Sequence, residues 1–310
     1  MSVRIVFMGT PQFAVPALER LAPSVQAVVT QPDRRRGRGQ QLWPSPIKAA
    51  ALALGLPVLQ PERVREESFL NQLRELKPDL ITVVAFGQIL PPALLAIPPL
   101  GCINVHASLL PRLRGAAPIQ RSIMNGDTRT GVCTMYMDQG LDTGDVIYQE
   151  EEIILPEDTA GSLAQRLAVK GADLLCRTVK AIEQGIAPSQ PQDSSLASWA
   201  PPITKEEEII RWDKGALQLA NQIRGLNPRP GAVTFALGMR LKIWRARAIS
   251  DKTVAGNPGQ VLKIEGEAGI LVSTPDGALL VQEVQPAGKR IMTAAEYARG
   301  YRVRPGDVWG

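Results

Sequence analysis

The chain has one histidine, and it stands two residues after an asparagine. Asn104 and His106 belong to an apolar run, CINVH at residues 102–106, which is typical of a buried strand. Because side chains alternate along a strand, the carboxamide and the imidazole point to the same side. A carboxamide can donate a hydrogen bond to a developing oxyanion, and an imidazole can carry protons. The spacing therefore predicts catalytic groups at a strand end, with a structural histidine as the alternative.

An acidic, glycine-rich run, DQGLDTGD at residues 138–145, follows another predicted strand and is typical of a loop. It lacks the regular spacing of acidic residues that calcium loops need. A carboxylate from this run beside His106 would instead orient the imidazole and stabilise its charged form. The amide, imidazole and carboxylate together suit acyl transfer to an amine without a covalent intermediate. Ser108 fits a nucleophile poorly, because its Ser-Leu-Leu-Pro turn is not a nucleophile elbow.

Elements that alternate between strand and helix must position these groups. The first part of the chain has strand patterns at residues 4–8, 25–30, 80–86, 102–106 and 132–137, and helical patterns at residues 13–21, 47–54, 69–76, 119–124 and 160–183. This alternation predicts an α/β, Rossmann-like domain with a mostly parallel sheet covered on both faces. Ligands of such sheets bind outside the carboxyl ends of the strands, where His106 falls.

The character of the chain changes near residue 188. Residues 188–202 are rich in proline, serine and glutamine, as linkers are. One helical pattern at residues 216–224 then precedes five short strand patterns, at residues 232–237, 241–248, 259–264, 270–273 and 278–284. We therefore predict a catalytic domain at residues 1–188, a linker at 189–205 and a small C-terminal β-barrel of the oligonucleotide-binding (OB) type at 206–310. A small sandwich would give the same pattern.

A basic loop follows the second predicted strand. Residues 31–48 hold, among glycines, Arg34, Arg35, Arg36, Arg38 and Trp43. Arginines can form forked contacts with phosphates, and a tryptophan can stack on a base. The loop follows a strand end, as His106 does, so both are expected at one edge of the sheet. The alternative is a solvated surface loop. Most of the excess positive charge of the chain belongs to residues 206–310.

Composition excludes several classes of protein. The net charge is only +5, and the three cysteines are scattered, which is typical of free thiols and not of a disulfide framework. One histidine without clustered cysteines predicts no metal site, and the G-x-G-x-x-G fingerprint of dinucleotide binding is absent. We expect no membrane segment, no signal peptide, a cytoplasmic location and a monomer.

Several strings of the chain resemble the folate-dependent formyltransferases. Residues 104–120 (NVHASLLPRLRGAAPIQ) and 140–145 (GLDTGD) contain the Asn-x-His, Ser-Leu-Leu-Pro and Asp parts that the whole group shares. The basic loop, FMGTP at 7–11, LASWAPPITKEEEIIRW at 196–212 and QPAGK at 285–289 are similar to the branch that acts on methionyl-tRNA. The resemblance therefore runs nearly from end to end.

The resemblance implies an activity and a set of residues. The reaction would move a formyl group from 10-formyltetrahydrofolate to the α-amino group of methionyl-initiator tRNA, for translation initiation. The implied catalytic set is Asn104, His106 and Asp142. The implied folate site is formed by Ser108, Leu109, Leu110 and Pro111.

The resemblance also implies contacts to tRNA. Arg38 matches the loop arginine that approaches the acceptor end in this family, and we include its neighbours Arg34, Arg35 and Arg36. In the C-terminal domain we nominate Lys289 and Arg290. Relatives commonly carry lysines after Gly39, where this chain has glutamines, so the positive charge of the loop is moved upstream.

Two alternatives remain, of which the first is another folate enzyme and the second belongs to a different class of protein. A glycinamide ribonucleotide formyltransferase or a formyltetrahydrofolate hydrolase would share the catalytic set but would not need a basic second domain. A nucleic-acid-binding protein without catalysis would use the loop and the barrel. It would have no use for the Asn-x-His pair and the GLDTGD run.

Overall fold

The structure is a computed structural model that describes residues 3–36, 41–251 and 256–310. Its strands are β1 (Ile5–Gly9), β2 (Val25–Val29), β3 (Arg34–Arg36), β4 (Gln41–Trp43), β5 (Val58–Leu59), β6 (Leu80–Val84), β7 (Cys102–His106), β8 (Arg129–Tyr136), β9 (Val146–Ile153), β10 (Ala232–Ala236), β11 (Met239–Ile249), β12 (Val261–Ile264), β13 (Ile270–Thr274), β14 (Gly277–Pro286) and β15 (Met292–Thr293). Its α-helices are α1 (Val15–Leu21), α2 (Pro46–Ala53), α3 (Glu67–Glu75), α4 (Pro92–Leu95), α5 (Pro118–Met124), α6 (Ala160–Glu183), α7 (Ala216–Gly225) and α8 (Ala294–Tyr301).

The chain folds into two compact units. The first contains Met1–Pro118, Thr130–Ile153 and Ala164–Ala200, and the second contains Ile119–Arg129, Ile154–Leu163 and Pro201–Gly310. The segment predicted as a linker, residues 189–205, spans the change from the first unit to the second at Ala200. Within the described ranges, no helix is long and apolar enough to span a bilayer.

A seven-stranded sheet forms the centre of the first unit, in the order β5-β2-β1-β6-β7-β8-β9. The strands from β5 to β7 are parallel, and β8 runs antiparallel to β7. The predicted Rossmann-like, mostly parallel sheet is therefore confirmed. The carboxyl ends of β1, β6 and β7 meet at one edge, which is the expected place for a ligand.

Both faces of this sheet are buried, as the apolar strands require. In β1, Ile5 and Phe7 pack into the core cluster on one face, and Val6 and Met8 pack into the cluster on the other. All four side chains are fully buried. Alternation along the strand supplies both cores at once, and it fixes the direction in which the strand end presents its polar residues.

The second unit is built on an antiparallel sheet with the order β10-β11-β14-β13-β12, and β15 pairs with β14. This is the predicted set of short strands, and it is consistent with the predicted small barrel. Trp212, Tyr297 and Trp309 pack edge to face in its core, with ring centroids 6.1 and 6.4 Å apart. Helix α8 begins with a capping box in which Thr293 and Glu296 satisfy each other's backbone N–H groups.

Candidate functional site

The end of β7 places two polar side chains at the carboxyl edge of the sheet. Asn104 pairs in register with Val83 of β6, and His106 is the last residue of β7. The imidazole is buried, with 6% of its surface exposed. The predicted alternation holds for the strand, because Cys102 packs into the core on one face of the sheet and Ile103 and Val105 pack into the core on the other.

Both ring nitrogens of His106 face an oxygen atom. Nε2 lies 2.9 Å from the carbonyl oxygen of Leu113, and Nδ1 lies 3.6 Å from Oδ2 of Asp142. A carbonyl oxygen only accepts hydrogen bonds, so the proton belongs on Nε2. Nδ1 is then the nitrogen that can exchange a proton, and a carboxylate faces it across a distance longer than a direct hydrogen bond. This arrangement suits proton transfer.

The carboxylate of Asp142 is held by the backbone of the segment that follows β7. Its Oδ2 accepts a hydrogen bond of 2.8 Å from the N–H of Gly115. Earlier in the same loop, Oδ1 of Asp138 accepts from the N–H of Gly140 at 2.9 Å and from the hydroxyl of Thr143 at 2.7 Å. The acidic run is thus an ordered turn that presents one carboxylate, that of Asp142, to the imidazole.

Three residues without the freedom of glycine adopt left-handed backbone conformations at this edge. They are Ala85 (φ 48°), Leu113 (φ 58°) and Asp142 (φ 54°). A left-handed conformation costs an L-residue about 1–2 kcal/mol. Leu113 and Asp142 are the two residues that face the nitrogens of His106. Backbone strain concentrated where polar groups converge is a feature of functional sites.

Two adjoining cavities open at this edge. The first has a volume of about 180 Å³, and Asn104 and Asp142 contribute to its wall. The second, of about 330 Å³, is lined by residues that include Thr10, Arg34 and Trp43. Ala85, Phe86 and Gly87, which follow β6, line both cavities. The site therefore offers room for two ligands side by side.

The residues predicted as a folate site, Ser108, Leu109, Leu110 and Pro111, are not among those that line the first cavity. Ser108 is buried, and its hydroxyl donates a 2.6 Å hydrogen bond to the carbonyl of Arg112. Leu110 packs with Cys133, Met135 and Val146. These contacts support the segment that follows β7, and the role in folate binding stays a prediction.

The basic loop contains a short hairpin that the sequence did not predict. Strand β3 pairs with β4, with Arg34 opposite Trp43, and both side chains are exposed. The side chains of Arg35 and Arg36 lie outside the described part of the structure, and so does the whole of Arg38. In the second unit, Lys289 and Arg290 are exposed. The contacts of these six residues with nucleic acid remain predictions.

Sequence reasoning missed the residues that act through their backbone. The segment after β6, residues 85–90, lines the first cavity. The only sequence feature that could have indicated this role is Gly87, a glycine that closely follows a buried strand. The Leu113 carbonyl and the Gly115 N–H hold the site through main-chain atoms. Among the residues that the structure describes, no three His, Cys, Asp or Glu side chains are grouped as metal ligands would be.

Cys133 pairs in register with His106, so its thiol lies near the site without belonging to it. Burial raises the pKa of Cys102 and of Cys133 to about 12. A thiol of that pKa is ionised to about one part in ten thousand at pH 8, which makes it a poor nucleophile. We expect iodoacetamide at pH 8 to leave both cysteines unmodified in the folded protein and to alkylate them after denaturation, as read by mass spectrometry. Rapid alkylation of Cys133 in the folded protein would contradict this assignment.

Comparison with known proteins gives matches over nearly the whole chain. The family model described as "Formyl transferase" matches residues 3–179, and the one described as "Formyl transferase, C-terminal domain" matches residues 202–302. A methionyl-tRNA formyltransferase of Moorella thermoacetica is 52% identical over 311 residues, covering 99% of both chains. One of Pelotomaculum thermopropionicum is 50% identical over the same length and coverage.

Solved structures share the fold at lower identity. A sugar 3N-formyl transferase, WlaRD, superposes with a TM-score of 0.65 at 20% identity, covering 94% of this chain and all of that one. HypX of Aquifex aeolicus, in complex with tetrahydrofolic acid, gives a TM-score of 0.64 at 16% identity and covers 96% of this chain and 47% of its own. A phosphoribosylglycinamide formyltransferase of Anaplasma phagocytophilum gives 0.50 at 26% identity and covers 60% of this chain and 89% of its own.

Proposed function

The chain belongs to the formyl transferase family, and from this premise we propose that it formylates the α-amino group of methionyl-initiator tRNA with 10-formyltetrahydrofolate as donor. The observation that carries the proposal is the convergence of Asn104 and Asp142 on one cavity wall, with the His106 ring 3.6 Å from the carboxylate. An amide donor, an imidazole and a carboxylate are the groups that acyl transfer to an amine needs.

In the proposed reaction the uncharged α-amine of methionine attacks the formyl carbon of the donor. The formyl oxygen gains negative charge, and it accepts hydrogen bonds from the amide of Asn104 and from Nδ1 of protonated His106, since Nε2 is bonded to the carbonyl of Leu113. Protons then pass from the amine to the leaving folate nitrogen through His106 and water. Asp142 holds this network, because Gly115 fixes its carboxylate opposite Nδ1 of the imidazole.

The two adjoining cavities support a reaction between two substrates. The first, lined in part by Asn104 and Asp142, would take the formyl end of the donor. The second, lined by Trp43 and Arg34, would take the aminoacyl end of the tRNA, because an exposed aromatic ring and a guanidinium suit a nucleotide. Both would meet at the shared wall formed by Ala85, Phe86 and Gly87.

We propose that the basic loop contacts tRNA through Arg34, Arg35, Arg36 and Arg38, and the second unit through Lys289 and Arg290. Replacing Arg38 by alanine should raise KM for methionyl-tRNA and leave kcat nearly unchanged. It should also make KM less dependent on salt concentration, by the amount expected for about one phosphate contact, because each contact releases counterions. Steady-state kinetics at several salt concentrations would measure both effects. The same KM and salt slope as the wild type would remove this loop from the tRNA site.

The main alternative is a formyltransferase for a small amine, or a hydrolase that uses water. A comparison of acceptors separates these reactions from the proposed one: methionyl-tRNA, glycinamide ribonucleotide and water alone, each with 10-formyltetrahydrofolate. We expect N-formylmethionine on the tRNA and little release of formate or formylation of the small amine. Transfer to glycinamide ribonucleotide or to water at a greater kcat/KM than to methionyl-tRNA would refute the proposal.

We further propose that the enzyme works as a monomer in the cytoplasm. The side chains of Asn104, His106 and Asp142 all belong to the first unit of the chain. The reaction would supply formylated tRNA for the start of translation, and we therefore place the enzyme in the cytoplasm with its two substrates, charged tRNA and folate.

A further inference from the structure

The last segment of the first unit, residues 189–200, lies against both parts of the chain that face His106. We call this segment the strap. Gln190 pairs with Val146 through two backbone hydrogen bonds of 2.9 and 3.0 Å. Arg114 donates through its N–H to the carbonyl of Ser198 at 2.8 Å, and its carbonyl accepts from the N–H of Ala200 at 2.7 Å. The strap thus binds the segment after β7 at one end and the start of β9 at the other.

Between these two attachments, the side chain of Gln192 joins the same two segments directly. Its Nε2 donates to the backbone carbonyls of Asp142, at 2.9 Å, and Gly144, at 2.7 Å. Its Oε1 accepts from Nε of Arg114 at 3.0 Å and from Nη2 at 2.8 Å. Only 4% of Arg114 is exposed. One carboxamide therefore makes four hydrogen bonds, two of them assisted by the arginine charge.

These bonds act on the two neighbours of the imidazole at once. Arg114 lies between Leu113, whose carbonyl faces Nε2 of His106, and Gly115, whose N–H holds the Asp142 carboxylate. Gln192 also holds the backbone of Asp142, because its Nε2 donates to the carbonyl of that residue. The fit is close: Gly115 has φ 122°, and a Cβ atom there would lie 2.7 Å from the carbonyl oxygen of Ala200 in the strap.

We propose that Gln192 is a positioning residue that sets the separation of the Asp142 carboxylate and the His106 imidazole. The inference rests on the proposed function, because it assigns Gln192 a role in that reaction. A glutamine is suited to the place, since its side chain accepts from a guanidinium and donates to two carbonyls. A glutamate would keep the hydrogen bonds from Arg114. Its second carboxylate oxygen would face the carbonyl oxygens of Asp142 and Gly144, and these oxygens would repel each other.

Two variants and a matched control test this role. Gln192→Met removes all four hydrogen bonds at similar volume, and Gln192→Glu removes only the two to the carbonyls. Gln190→Met is the control, because Gln190 is exposed and attaches the strap through its backbone. We expect both Gln192 variants to lower kcat about 10- to 100-fold, since misplacing a catalytic group by 1 Å can cost that much, with KM for both substrates within about threefold of wild type.

Formylation of methionyl-tRNA should be measured over a range of pH, with the melting temperature of each variant. The pH profile of kcat should change in both Gln192 variants and not in Gln190→Met. A Gln192→Glu protein that melts near the wild-type temperature and keeps wild-type kcat and pH profile would overturn the inference. So would a Gln192→Met protein that matches Gln190→Met. A wild-type chain that fails to formylate methionyl-tRNA would instead overturn the proposed function.

Discussion

Asn104→Ala should lower kcat for the formylation of methionyl-tRNA about 100- to 1000-fold, the usual effect of removing one oxyanion donor. The KM values for the donor and for the tRNA should change by less than about threefold, because the amide acts on charge that develops only during the reaction. Steady-state kinetics with each substrate varied in turn would measure this split. The side chain of Asn104 lines the first cavity, so truncating it to alanine should leave the fold intact.

Asn104→Asp is the matched variant, since it keeps the shape of the side chain and replaces the donor by a negative charge. It should be at least as slow as Asn104→Ala, because a carboxylate would repel the developing oxyanion. Recovery of activity in Asn104→Asp would show that the volume of this side chain matters and its hydrogen bond does not. Equal losses in kcat and in donor affinity would make Asn104 a binding residue.

His106→Ala should lower kcat about 100- to 10,000-fold, the range expected when a group that carries protons is removed. Donor binding, followed by titration of the folate, should stay within about threefold of wild type. Because His106 is the only histidine, no second imidazole can take over the role. Added imidazole should restore part of the lost kcat to this variant.

Two controls make the result on His106 decisive. Imidazole should have no effect on wild type or on Asn104→Ala, because both proteins retain the ring of His106. An acetate buffer of the same concentration and pH should not rescue His106→Ala. A kcat of His106→Ala within about threefold of wild type would contradict the role of His106 in proton transfer.

The fold was predictable where burial dominates the sequence. The apolar runs at residues 4–8 and 102–106 correspond to β1 and β7, because a strand buried on both faces is mostly apolar. Strand β9 was missed because its buried start, Val146 and Ile147, is followed by a polar stretch of one glutamine and three glutamates. The hairpin of β3 and β4 was missed because three successive arginines carry no signal of a strand.

The candidate site was predictable in its side chains and not in its supports. Alternation placed Asn104 and His106 on one side of a strand, and the resemblance selected Asp142 from an acidic run. Leu113 and Gly115 hold His106 and Asp142 through a backbone carbonyl and a backbone N–H. Every residue type has a backbone carbonyl, and all but proline have an N–H, so the sequence does not identify these contacts. Gln192 lies in a stretch whose composition is typical of linkers, so only its four hydrogen bonds show what it contacts.

We propose above all that the imidazole of His106 and the carboxylate of Asp142, 3.6 Å apart, act as one unit in moving a formyl group. Single-turnover formylation of methionyl-tRNA with His106→Ala, Asp142→Asn and the double variant, at saturating donor, tests it most directly. Residues that work as a unit have non-additive effects, so the double variant should be no more than about threefold slower than the slower single variant. Losses that multiply, or an Asp142→Asn enzyme that transfers at the wild-type rate, would contradict the account.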